Sequence, residues 1–201
     1  ETASTVSSRG VYKFPVEVSN KKTYDDGQCN GYDTEYCSWS NLPDDDWVWQ
    51  DDYKQVIGEF VWTGYDYLGE PTPYDTYWPS RSSYFGICVL AGLAKVRYYL
   101  YRSKWNTEKH TVHLLPHWTW PDRKGKVTPV YCYTDGVEGE LFVNGKSQGK
   151  RTKTKDGDMI LFDLGAQWDH YCTDVSRTYP VNGKFTERQK QLYNAVLKGL
   201  D

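Results

Sequence analysis

The chain of 201 residues is poor in the features that most quickly assign a protein to a class. It has one Met and five cysteines, Cys29, Cys37, Cys88, Cys132 and Cys172. An odd number spread this widely is neither a disulfide framework nor a Cys-x-x-Cys zinc pattern, so buried or idle thiols are expected. A Cys29–Cys37 bridge stays open for an oxidising compartment, because the segment between them reads as a loop. No basic excess exists: 24 Lys and Arg face 27 Asp and Glu, for a net charge of -3 and a pI near 5.8. That balance excludes a duplex-coating nucleic-acid binder, which needs a clustered basic surface. Mean hydropathy is -0.77, and no apolar run approaches the roughly 20 residues of a membrane-spanning helix, so no membrane partner is expected. The chain begins at Glu1 without a charged region leading into an apolar stretch. A processed, excised or recombinant piece is expected, and its localisation is unknown.

Aromatic residues are what the chain has in excess, with 9 Trp and 18 Tyr in a total aromatic share of 16%. Flat apolar rings with a polar tip suit sugar stacking, cores and interfaces equally. With 38% hydrophobic residues, a packed core is expected rather than wholesale disorder.

Residues 1–55 mix Asp, Gly, Ser and Asn with aromatics and read as long loops around short helical pieces. Asp44-Asp45-Asp46 and Asp51-Asp52 lack the ligand spacing of a calcium loop and read as a solvated acidic loop. Residues 56–62, Val-Ile-Gly-Glu-Phe-Val-Trp, carry a buried-strand signature. Residues 64–83 hold Pro71, Pro73 and Pro79 among many Tyr and predict an ordered, irregular loop, and residues 95–105 predict a helix. Strand patterns follow at 111–115, 127–134 and 140–143, and Asn144-Gly145 is a strong hairpin signal. These point to a small antiparallel β-sandwich over 106–151. The charged stretch 151–158 reads as a linker and 159–162 as a strand. Thr186 with Gln189 three residues on is a capping box that opens a helix striped by Leu192, Val196 and Leu200.

Two stretches resemble known families, and the families are unrelated. Over residues 1–151, Glu1-Thr2-Ala3-Ser4-Thr5-Val6-Ser7-Ser8-Arg9-Gly10 resembles the nucleophile segment of the β-galactosidase-like enzymes of glycoside hydrolase family 2. Gly58-Glu59-Phe60-Val61-Trp62-Thr63-Gly64-Tyr65-Asp66 is similar to their last barrel strand and its loop. Trp78-Pro79-Ser80-Arg81 and Glu140-Leu141-Phe142-Val143-Asn144-Gly145 continue the match. The resemblance implies a TIM-barrel remnant with its chemistry at the C-terminal strand ends, Glu1 as catalytic nucleophile and Trp62 as a substrate-binding platform for a sugar. The substrate implied is a carbohydrate with a terminal β-linked sugar, with no cofactor. A retaining glycosidase also needs an acid/base carboxyl about 5–5.5 Å from the nucleophile. Glu59, Asp66 and Glu70 do not match that position, so another chain supplying missing strands and the acid/base is an expected partner. Val89, Ala94 and Val96 stand where the family pattern has Asp, Pro and Asp.

Over residues 156–201, Gly157-Asp158-Met159-Ile160-Leu161-Phe162-Asp163-Leu164-Gly165 and Thr173-Asp174-Val175-Ser176-Arg177-Thr178-Tyr179-Pro180 resemble aminopeptidase P and prolidase, the pita-bread metallopeptidases. The resemblance implies Asp163 and Asp174 as ligands of two divalent ions (Mn, Co or Zn), with a His and two Glu of that family not matched here. The expected fold class is α+β, divided into a glycosidase-barrel remnant with long aromatic loops at 1–105, a sandwich-like segment at 106–151 and a strand–hairpin–helix tail at 152–201. The functional reading is a retaining β-glycosidase fragment, incomplete and inactive alone. A fragment of an Xaa-Pro peptidase, a non-catalytic binding chimera and an artificial sequence remain the alternatives.

Overall fold

A computed structural model describes the chain except residues 1, 21, 78–81, 124, 154–158, 169–170, 181–185 and 198–201, and the side chains of 159–168, 171–180, 192, 193 and 195–197. It is a small α+β chain of short ladders and few helices. Among the described residues the strands are β1 (Ser19–Asn20), β2 (Glu35–Tyr36), β3 (Val112–Leu115), β4 (Tyr131–Thr134), β5 (Glu138–Val143), β6 (Lys146–Thr152), β7 (Met159–Trp168) and β8 (Tyr171–Pro180). The helices are α1 (Pro43–Asp52), α2 (Val96–Trp105) and α3 (Glu187–Leu197). Each sheet has two strands: β1–β2 is parallel, and β3–β4, β5–β6 and β7–β8 are antiparallel. Two compact units result, one of residues 1–120 with 129–135, the other of 121–128 with 136–201.

Among the described residues, buried hydrophobic side chains form two clusters, both in the first unit. Val6, Cys29, Cys37, Tyr74, Tyr84 and Phe85 form one. Tyr32, Val96 and Leu115, flanked by Tyr12, Phe14, Tyr131 and Tyr133, form the other. The tyrosines are core residues because their hydroxyls reach loop carbonyls: Tyr32 donates to Pro129 O (2.7 Å), Tyr74 to Gln28 O (2.6 Å) and Tyr84 to Gly27 O (2.7 Å). Burying a ring is favourable only if its polar tip keeps a partner. Cys29 and Cys37 are both thiols in the first cluster, and burial pushes the Cys29 thiol well up from its usual range.

The expected acidic loop at Asp44–Asp46 is instead the first turn of α1. Pro43 sits at the N-terminal position its fixed φ suits, and three carboxylates complement the positive end of the helix. The 56–62 segment is not buried. Ile57 is 99% and Phe60 87% exposed, because only Val61 is bridged, to Thr2. The helix at 95–105 is as expected, and so is the irregular loop at 64–83 in its described residues 64–77 and 82–83, tied by the bridges Tyr65 to Cys88 and Leu68 to Ser82. Of the strands assigned to one sandwich, β3 and β4 lie in the first unit and the β5–β6 hairpin in the second.

The second unit follows its local signals. Asn144 (φ 50°) and Gly145 (φ 77°) turn β5 into β6 in the left-handed region that Asn-Gly favours. Thr186 N donates to Gln189 Oε1 (2.8 Å) and Gln189 N to Thr186 Oγ1 (3.3 Å), completing the capping box of α3. Most of the 151–158 linker and part of the Leu192–Val196–Leu200 stripe lie outside the described residues.

Candidate functional site

The site is built where the chain's first residues meet the segment ending in Trp62. Thr2 N donates to Phe60 O (3.0 Å) and Trp62 N to Thr2 O (3.1 Å), a parallel bridge between the residue after Glu1 and the strand end. Glu1 itself lies outside the described residues. Glu59 ties this junction to α1: its carboxylate accepts Thr2 Oγ1 (2.9 Å) on one oxygen and the Trp47 indole (3.0 Å) on the other.

Trp62 is 37% exposed, so one part of its indole faces solvent. Its Nε1 donates to Tyr67 Oη (3.1 Å), and Tyr67 donates in turn to the Glu70 carboxylate. The two rings meet edge to face at 5.7 Å. This relay fixes the indole plane, and a fixed aromatic plane is what stacking on a sugar face requires. The peptide between Trp62 and Thr63 is cis.

Beneath the junction lies a buried set of charges. Lys95 is 2% exposed and Arg97 is fully buried. Lys95 Nζ donates to Asp66 Oδ1 (2.8 Å), Ser7 O (2.8 Å) and Tyr84 O (3.1 Å). Arg97 donates through Nη1 to Thr5 O (2.8 Å) and Ala3 O (3.4 Å), and through Nη2 to Phe85 O. Burial pushes the Asp66 carboxyl up and pulls the Lys95 ammonium down, and each partner offsets the other's shift. Asp33, also buried, has its carboxyl pushed up to about 6 by desolvation, against the opposing pull of Arg97. Gly86 N donates to Asp66 (2.8 Å), and a side chain at Gly86 would overlap the backbone of Tyr65, Asp66 and Cys88.

Glu59, Asp66 and Glu70 are therefore each engaged, by Thr2 and Trp47, by Lys95, and by Tyr67. Sequence reasoning gave no role to Tyr67, Arg97 or Asp33. Their partners lie 3 to 94 positions away, and no sequence motif marks them. The one available signal was the pair of charges in a helix start otherwise rich in apolar and aromatic residues.

In the second unit, the β7–β8 register pairs Asp163 with Ser176 and Gly165 with Asp174. Asp163 and Asp174 thus share one face of the ladder, on a diagonal. Among the described residues no group of three or more His, Cys, Asp or Glu is arranged to hold a metal ion, and two carboxylates fall short of a two-metal donor set. No described helix is long and apolar enough to cross a membrane.

Stretches of this chain are similar to two classes of hydrolase. The larger part of the chain is similar to glycoside hydrolase family 2 β-glycosidases, and its tail to metallopeptidases. The β-galactosidase BoGH2A of Bacteroides ovatus is 42% identical over 165 residues, 78% of this chain and 19% of that protein. A crystal structure of a β-glycosidase from Bacteroides vulgatus matches with a TM-score of 0.61 and 28% identity, over 90% of this chain and 23% of that one. The family model for metallopeptidase family M24 matches residues 133–201. The Xaa-Pro aminopeptidase of Escherichia coli is 47% identical over 47 residues, 23% of this chain and 11% of that protein. The chain joins pieces similar to two families, and it spans about a fifth of the length of the β-galactosidase it matches.

Proposed function

We propose that this chain carries the nucleophile side of a retaining β-glycosidase site, with Glu1 as nucleophile and Trp62 as the platform on which the sugar stacks. The observation that carries the reading is the Thr2–Val61 bridge with its hydrogen bond to Trp62, within a stretch similar to a β-galactosidase. It supports a side-by-side arrangement of the residue after Glu1 and the sugar platform, as the ends of adjacent parallel barrel strands would give. On this reading residues 1–105 derive from the end of a TIM barrel, and the substrate is a carbohydrate with a terminal β-linked sugar.

The chemistry divides into two steps. The Glu1 carboxylate would attack the anomeric carbon and expel the aglycone, forming a glycosyl ester that water then hydrolyses. Protonation of an ordinary leaving alcohol needs an acid/base carboxyl. Glu59, Asp66 and Glu70 are committed to other partners, so a second chain or further sequence would supply it. An aryl leaving group such as 2,4-dinitrophenolate departs without a proton, so the first step can be tested on this chain as it stands. Mixing with 2,4-dinitrophenyl β-galactoside should release a burst of about one equivalent of dinitrophenolate per chain, with slow turnover after it. Trp62→Ala should raise the half-saturating sugar concentration about tenfold or more, and Glu1→Gln should abolish the burst. A burst that survives Glu1→Gln would sink the reading.

The second reading rests on the M24 match of the tail, which brings the class of divalent-metal hydrolysis. Asp163 and Asp174 would be two of its ligands, but the donor set is too small for a two-ion centre, and no step is derived through metal.

A further inference from the structure

We propose that Arg97 and Lys95 are positioning residues of this site, a clamp that sets how far the segment following Glu1 stands from the segment carrying Trp62. The inference rests on the glycosidase reading, but its geometry can be tested without turnover.

The clamp is visible in which carbonyls the two cations take. Arg97 Nη1 holds the carbonyls of Ala3 and Thr5, and Lys95 Nζ holds that of Ser7. Three alternate residues of the segment just after Glu1 are thus gripped from the first turn of one helix. The other arms of the same groups hold the Phe85 and Tyr84 carbonyls. Phe85 O also accepts Thr63 N (3.4 Å), the amide next to Trp62, and Tyr84 O accepts Ser7 N (3.0 Å). Arg97 therefore reaches, through one planar group, a carbonyl two residues from Glu1 and a carbonyl bonded to the residue after Trp62.

A guanidinium is suited to this because its five N–H donors lie in one rigid fork, and charge-assisted hydrogen bonds to carbonyls outlast neutral ones. An ammonium is a point donor on a flexible stem, so Lys95 joins Ser7 O and Tyr84 O with less directional control than the guanidinium gives. Burying two cations is costly, and the neighbouring Asp66 and Asp33 carboxyls offset part of that cost. A shift of about 1 Å between reacting groups is enough to slow chemistry on the order of a hundredfold, so a device that fixes this spacing acts on the reaction without touching substrate.

The test uses the full chain as wild type, Arg97→Lys and Lys95→Arg, with two readouts. The first is amide hydrogen exchange. Arg97→Lys should speed exchange of the Trp62 and Thr63 amides at least tenfold more than that of Tyr74, whose amide bonds within a separate turn to Pro71 O. Lys95→Arg should do the same at Ser7. The second is mass-spectrometric labelling by 2,4-dinitrophenyl 2-deoxy-2-fluoro-β-galactoside. Arg97→Lys should slow the saturated labelling rate at least tenfold while changing the half-saturating concentration less than threefold. Uniform acceleration of all amides, or none, overturns the clamp whatever the labelling shows. Local acceleration with an unchanged labelling rate overturns its link to the chemistry. A wild type that takes no label counts against the glycosidase reading, and the amide pattern alone then upholds or overturns the clamp. If Arg97→Lys does not fold, Lys95→Arg and the Ser7 amide decide.

Discussion

In the first unit, side chains reach across most of the sequence: Lys95 holds a carbonyl 88 positions away, Arg97 one 92 away and Tyr32 one 97 away. In the second, Thr186 and Gln189 bond over 3 positions, Ser147 and Glu140 over 7, and Lys150 and Glu138 over 12. Among the described residues, every buried side chain lies in the first unit and none in the second. Among the described side chains, the first unit is thus held by desolvated, long-range polar contacts around aromatic rings, and the second shows turn chemistry and capping. Such a difference predicts cooperative, all-or-none loss of structure in the first and piecemeal fraying in the second.

The largest effect that would break this contrast is at Arg97. Arg97→Met leaves three buried carbonyls and the Asp33 carboxyl without their cation, and should cost the first unit about 3–5 kcal/mol. Urea unfolding followed by tryptophan fluorescence reads it, and a cost below about 1 kcal/mol would mean that the long-range contacts do not hold the unit together.

Asp33 gives the next effect and sharpens the contrast by pH. Its folded value is raised to about 6 from the usual 3.8. Between those values the native state keeps a proton that the unfolded state has lost, so stability falls as pH climbs from about 4 to about 6 and stays reduced above that. Asp33→Asn should therefore stabilise the chain by about 2–3 kcal/mol at pH 7.5 and by little near pH 4. Asn also tolerates the left-handed backbone at this position (φ 55°). Paired urea titrations at the two pH values check it.

The smallest effect belongs to the second unit. Thr186→Ala removes one half of the capping box and should cost α3 about 1 kcal/mol. Exchange of the Lys190 amide, bonded to Thr186 O (2.9 Å), should quicken while that of Trp62 does not change.

The same contrast explains what could be read from the sequence. Asn144-Gly145 and Thr186 with Gln189 were legible because their physics acts over two to four positions, and both elements formed where expected. The helix at 95–105 was legible for the same reason. The 56–62 segment misled because an apolar strand pattern reports what a segment could bury, not whether a neighbour is there to cover it. Asp44–Asp46 misled because Pro43 and the helix dipole outweighed the loop character of the acidic run. Of the proposed site, Glu1 and Trp62 came from resemblance. The relay from Trp62 through Tyr67 to Glu70 spans only eight positions but follows no recurrent motif, and the carbonyl contacts of Lys95 and Arg97 were hidden because they exist only once distant segments are side by side.

The most direct measurement is intact-mass spectrometry of the chain after incubation with 2,4-dinitrophenyl 2-deoxy-2-fluoro-β-galactoside, followed by peptide mapping. The fluorine slows hydrolysis of the glycosyl ester, so a working nucleophile stays labelled. The account predicts one fluorosugar per chain, on the peptide that begins at Glu1. An unmodified mass of 23.4 kDa across galactoside, glucoside and glucuronide forms of the reagent, or a label on any other carboxylate, would contradict it.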